Sequence, residues 1–113
     1  MSRRKITGTA NFARNLEGLR TFHTEHPGGF ERAVARLQDE LLPLLRQQAN
    51  VGRPYERGEP GRPLIENVRA RLGGGVLREL VVDDYVVLYL VSAKRVALMS
   101  IRHGRELDFD FAD

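Results

Sequence analysis

The run Tyr85 to Val91, YVVLYLV, constrains this chain more than any other stretch, because it carries no charge, no glycine and no proline. Valine and tyrosine favour a pleated, buried surface, and a strand with no charged residue on either face is predicted to lie at the centre of a sheet covered from both sides. Similar runs flank it, with breaks at Asp83-Asp84 and Ala93-Lys94. Breaks that short require tight antiparallel turns, so Val76 to Phe111 reads as a three-stranded meander. Its last strand changes character at Arg102-His103-Gly104-Arg105, and a core strand ending in arginines and a histidine is a candidate site.

The chain before the meander has helical periodicity. Arg3 to Thr7 has one large apolar residue, Ile6, and reads as a short basic edge strand ended by Gly8. Phe12, Leu16, Leu19 and Phe22 or His23 fall at helical spacing, which predicts a helix from Ala10 to His26 stopped by His26-Pro27-Gly28-Gly29. Phe30, Val34, Leu37, Leu41, Leu44 and Leu45 predict a second helix, so the two form an antiparallel hairpin whose apolar faces need a sheet. Pro43 lies inside that second pattern and predicts a kink, or a break and restart. Asn50 to Pro63 reads as a loop, and Leu64, Val68 and Leu72 as a short helix stopped by Gly73-Gly74-Gly75.

These elements give an α+β fold: a short N-terminal strand plus the C-terminal meander in an antiparallel sheet, packed against the helical hairpin. At 113 residues, with 42% hydrophobic and 29% charged residues, one domain spanning 1–113 is expected. No apolar stretch reaches membrane-span length and the start leads into no secretory segment, so the expected address is cytoplasmic. With no cysteine and three scattered histidines, neither a metal site nor a cofactor is expected.

Charge is unevenly placed. Residues 1–105 carry 18 basic and 11 acidic side chains, net +7, while Glu106, Asp108, Asp110 and Asp113 bring the chain to +3. Sixteen of the basic residues are arginine, whose planar fork suits phosphate or carboxylate. That composition is compatible with an acidic partner, nucleic acid or protein, but charge count alone favours arginines spread over a solvated surface.

Were the substrate RNA, the residues of the meander would suffice for cleavage without a metal. Such a reaction needs a base for the 2′-hydroxyl, a donor to the leaving oxygen and positive charge against the phosphorane. His103, with an unperturbed pKa near neutrality, suits the base or acid role; Arg78, Arg102 and Arg105 are candidates to hold phosphate. Strand alternation sets Arg102 opposite to His103, so a joint site needs a bend at Gly104. Lys5 and Arg53 join Arg105 as candidate nucleic-acid contacts. Arginine and histidine at a strand end are as often plain surface groups. No GxSxG turn, P-loop or HExxH helix is present, and Asp83-Asp84 reads as a turn rather than a catalytic pair.

The order of elements, the GRP at Gly52 to Pro54, the segment VLRELVVDDYVVLYLV and the ending VALMSIRHGRELDFDF resemble the RelE/ParE superfamily of bacterial toxins, over nearly the whole chain. The resemblance implies a toxin of a type II toxin-antitoxin module, associated with plasmid stabilisation, and a small cognate antitoxin in a hetero-oligomer. It implies one of two targets. RelE-like toxins cleave mRNA on the ribosome, and this is the activity expected here, with Arg78, Arg102 and His103 as catalytic residues of an endoribonuclease and the other target as the alternative. ParE-like toxins bind DNA gyrase without nuclease activity. Phe109 and Phe111 stand where many nucleases of the family carry tyrosine, and the lysine-rich run common in RelE is missing. A degenerate, non-toxic member is the remaining expectation.

Overall fold

A computed structural model describes residues 4–22, 28–55, 62–104, 109 and 111, with the backbone alone at 21 and 22. Strand β1 spans Lys5–Gly8 and α1 spans Ala10–Phe22. Helix α2, Gly29–Arg36, continues through a π-helical turn, Leu37–Leu41, into α3, Leu42–Gln47. A 3-10 turn at Ala49–Val51 leads to β2, Arg53–Pro54, and then come α4, Arg62–Leu72, and strands β3, Val76–Val82, β4, Tyr85–Val91, and β5, Arg95–His103.

The sheet order is β1-β5-β4-β3-β2, which puts the uncharged run at the centre. Every residue of β4 is buried. Tyr85, Val87, Tyr89 and Val91 face the hairpin, where they meet Phe12 and Leu19 of α1 and Ala33, Leu37, Leu41 and Leu45 of the α2–α3 rod. Val86, Leu88 and Leu90 face the other way, onto Ile65 and Val68 of α4 and onto Phe109. Each such apolar side chain contributes about 1.5–3 kcal/mol when fully buried, so β4 anchors both layers.

Two features of the sheet depart from the expected pattern. β1 lies parallel to β5, with Lys5 beside Arg95 and Gly8 beside Leu98, so the sheet is mixed rather than wholly antiparallel. The stretch expected as one loop from Asn50 to Pro63 also contributes β2, which pairs Arg53 with Glu79 and Pro54 with Arg78 at the sheet edge. An edge tolerates Pro54 because its missing N–H has no ladder to serve. Helix α4 correspondingly begins at Arg62, ahead of Leu64.

Pro43 interrupts the second helix without breaking it. Its ring leaves the Asp39 carbonyl without the usual amide donor, and the preceding turn widens so that the Leu42 N–H reaches the Leu37 carbonyl. The meander turn at Asp83 has φ 54°, a left-handed conformation that aspartate tolerates better than most residues. The end of the first helix predicted at 23–26, His23 and the His26-Pro27 stop lie outside the described residues, as do Arg57, Arg105, Glu106, Leu107, Asp108, Asp110 and Asp113. Among the described residues no helix is long and apolar enough to cross a membrane.

Candidate functional site

Arg78 sits on β3 directly across from Tyr89, on the hairpin side of the sheet. Its Nη1 donates to the Gly52 carbonyl at 2.7 Å. The Tyr89 hydroxyl accepts from the Gly52 N–H at 2.8 Å and donates to the Ala49 carbonyl at 2.9 Å. Burial holds the Tyr89 phenol above its ordinary pKa, with the Gly52 N–H and the Arg78 charge pulling the other way. The GRP segment is therefore fastened to the core by Arg78 and Tyr89. Gly52 is needed for space, since a Cβ there would meet the Tyr89 hydroxyl and stand 2.6 Å from the Glu79 carbonyl.

On the opposite face Glu79, 5% exposed, accepts from Arg53 Nε at 2.6 Å. Arg102 pairs across from Val86 on that same face, its guanidinium carbon 5.1 Å from the centre of the Phe109 ring. His103 pairs across from Tyr85 on the hairpin side, and the two rings meet edge to face at 5.5 Å. β5 stays extended through His103, so alternation sets Arg102 and His103 on opposite faces and no bend brings them together.

Arg78 and His103 share a face but lie far apart. They oppose Tyr89 and Tyr85 from the two sides of β4, which places them roughly 13 Å apart along the strands and about 10 Å apart across them. Acid-base groups and phosphate clamps must converge within hydrogen-bond reach of one reacting centre. The described residues do not bring Arg78, Arg102 and His103 to one centre. Arg53 is engaged with Glu79, Lys5 lies on the far edge of the sheet, and Arg105 is outside the described residues.

The surroundings of His103 are acidic. A shallow groove of about 330 Å³ is lined by Val81, Asp83, Asp84, Val86, His103 and Gly104. A second, of about 630 Å³, lies between the same turn and α2, with Arg32, Arg36 and Tyr85 in its wall. Arg36 forks onto both oxygens of Asp83 at 2.8 Å, and Asp83 correspondingly strengthens the protonated guanidinium. Burial, then Asp84 and Asp83, raise the Tyr85 phenol. Among the described residues no three histidine, aspartate or glutamate side chains gather as a metal site would require.

A buried polar seam escaped the sequence reading. Opposite Leu88 and Tyr89, β5 carries a bulge at Met99, flanked by Leu98 and Ser100. Asn11 of α1, 2% exposed, donates to the Met99 carbonyl at 2.9 Å, and Asn15 accepts from the Ile101 N–H at 3.3 Å and from the Ser100 hydroxyl. Thr9 caps α1 by accepting from the Phe12 N–H at 3.1 Å. Asparagines at i and i+4 beside an apolar helix stripe were the signal for this seam. It docks α1 onto the irregular strand whose end carries Arg102 and His103.

No family model and no curated protein matches the chain in sequence. In fold it is similar to a solved chain from the chromosomal ParDE TA system of P. aeruginosa, with a TM-score of 0.55 and 20% identity over 89% of this chain and 96% of that one. The α+β architecture is thus shared with that chain.

Proposed function

We propose that this chain is the toxin of a type II toxin-antitoxin pair and that it acts by binding its target, in the ParE-like manner, rather than by cleaving mRNA. The fold likeness to a ParDE chain supports the toxin reading and, with it, a cognate antitoxin partner. The dispersal of Arg78, Arg102 and His103 carries the choice of mechanism. Arg78 holds a backbone carbonyl, Arg102 stands on the α4 face, and His103 opens into a groove lined by Asp83, which Arg36 pairs, and by Asp84, whose charge opposes an incoming phosphate.

Expression without any neighbouring gene product tests the first half: growth arrest is expected, and its absence refutes the toxin reading. Purified chain should then inhibit DNA supercoiling by gyrase, and His103→Ala should arrest growth as the parent does. Cleavage of mRNA on ribosomes that His103→Ala abolishes would establish the nuclease mechanism instead.

A further inference from the structure

Among the described residues ion pairs join Arg20 with Glu17, Arg36 with Glu40 and Asp83, Arg53 with Glu79, and Arg69 with Glu66. At one end of the sheet several cations gather outside these pairs. There the Lys5 N–H donates to the Lys94 carbonyl at 3.0 Å, the Arg4 N–H to the Arg46 carbonyl at 3.4 Å, and Arg4 Nε to the Ser92 carbonyl at 3.0 Å. The parallel register sets Lys5 directly beside Arg95. Arg4, Lys5, Arg46, Lys94 and Arg95 thus converge from α3, β1 and the β4–β5 turn, and all but the half-buried Arg4 are exposed. Among the described residues no carboxylate forms an ion pair with any of them.

Like charges set directly opposite one another on a sheet destabilise it, so packing gives no reason for Lys5 beside Arg95. The Asp83-Asp84 turn lies at the other end of β4, where Arg36 pairs with Asp83, so the charges there are mixed while those at the Lys94 end are of one sign. We propose that this basic end is a sequence-independent binding surface for the phosphate backbone of nucleic acid. Its cations are spread over three elements and so match charge repeated along a chain rather than one anion. Arginine, whose fork takes phosphate oxygens in pairs, supplies Arg4, Arg46 and Arg95. The surface stands apart from the toxin reading and survives if growth arrest is not seen.

Fluorescence anisotropy of the full chain with labelled duplex DNA and with single-stranded RNA, each of arbitrary sequence, tests it and separates the two sources of phosphate. Binding to at least one is expected, equal for unrelated sequences. Five phosphate contacts give a slope of log K against log salt of about −4.5 on duplex DNA, a weakening of about 500-fold from 50 to 200 mM. The Lys94→Gln, Arg95→Gln double variant should make that slope shallower by about two. A control with the same charge change elsewhere, Arg20→Gln with Arg71→Gln, should leave it unchanged. Circular dichroism establishes that both variants are folded. Absence of binding at low salt, or a control that weakens binding as much as the cluster variant, overturns the proposal.

Discussion

Replacing Gly52 by alanine isolates the contact that fastens the GRP segment to the sheet. Gly52 has φ −74° and ψ 159°, a conformation alanine adopts freely, so backbone strain plays no part. The added Cβ would stand 2.6 Å from the Glu79 carbonyl and 3.0 Å from Tyr89 Cε1, and would press on the Tyr89 hydroxyl. Relief requires either β2 to leave β3 or the Tyr89 ring to turn, and both disturb the bonds from Gly52 N–H and to the Ala49 carbonyl. Overpacking costs about 1–3 kcal/mol and a stranded buried polar group about 1–3 more. The stiffer unfolded chain returns about 0.4–1 kcal/mol. A net loss of about 2–4 kcal/mol is expected, read as a drop of about 1–2 M in the urea midpoint for an m-value of about 2 kcal/mol/M. Tyr89→Phe removes the hydroxyl part of the clash, so the double variant should lose less than the sum of the singles by at least about 0.5 kcal/mol. A midpoint within about 0.25 M of the parent, or strict additivity of the pair, would refute this account of Gly52.

Asn11→Ala should destabilise by about 0.5–1.5 kcal/mol in the same assay, because it removes the shorter of two hydrogen bonds to the Met99 carbonyl at the β5 bulge and leaves that of the Thr9 hydroxyl at 3.3 Å. Arg53→Ala should cost about 1–3 kcal/mol by stranding the buried Glu79 carboxylate, and adding Glu79→Gln should recover part of the loss; no recovery would mean that charge is not the cause. Raised phenol pKa values at Tyr85 and Tyr89 mean that the folded chain favours the neutral ring more than the unfolded chain does. That stabilisation is complete below the ordinary tyrosine value of about 10 and is lost as pH rises through the folded values, so urea midpoints should fall as pH rises above about 10, less steeply in Tyr89→Phe.

Much of the scaffold was legible because periodicity reports burial. The uncharged run at Tyr85 to Val91 became the central strand, the breaks at Asp83-Asp84 and Ala93-Lys94 became its turns, and the helical stripes became the hairpin and α4. Pro43 marked an irregularity, although its form, a π turn within a continuing helix, follows from where the displaced hydrogen bond could be remade. A two-residue edge strand such as Arg53–Pro54 has no period to detect and exists only because β3 offers it a partner.

The candidate site was less legible, since a list of suitable residues does not state their distances. The sequence by itself determined that Arg78, Arg102 and His103 lie on strands and that Arg102 and His103 alternate. Tertiary structure decided that Arg78 and His103 flank β4 at separate levels, that Arg78 holds the Gly52 carbonyl, and that His103 lines one groove with Asp83 and Asp84. It also decided that Lys5 lies beside Arg95, from opposite ends of the chain, in a parallel pairing. The physical reason is that side-chain alternation is a local property of the backbone, whereas charge convergence depends on which strands become neighbours, and long-range pairing alone sets that.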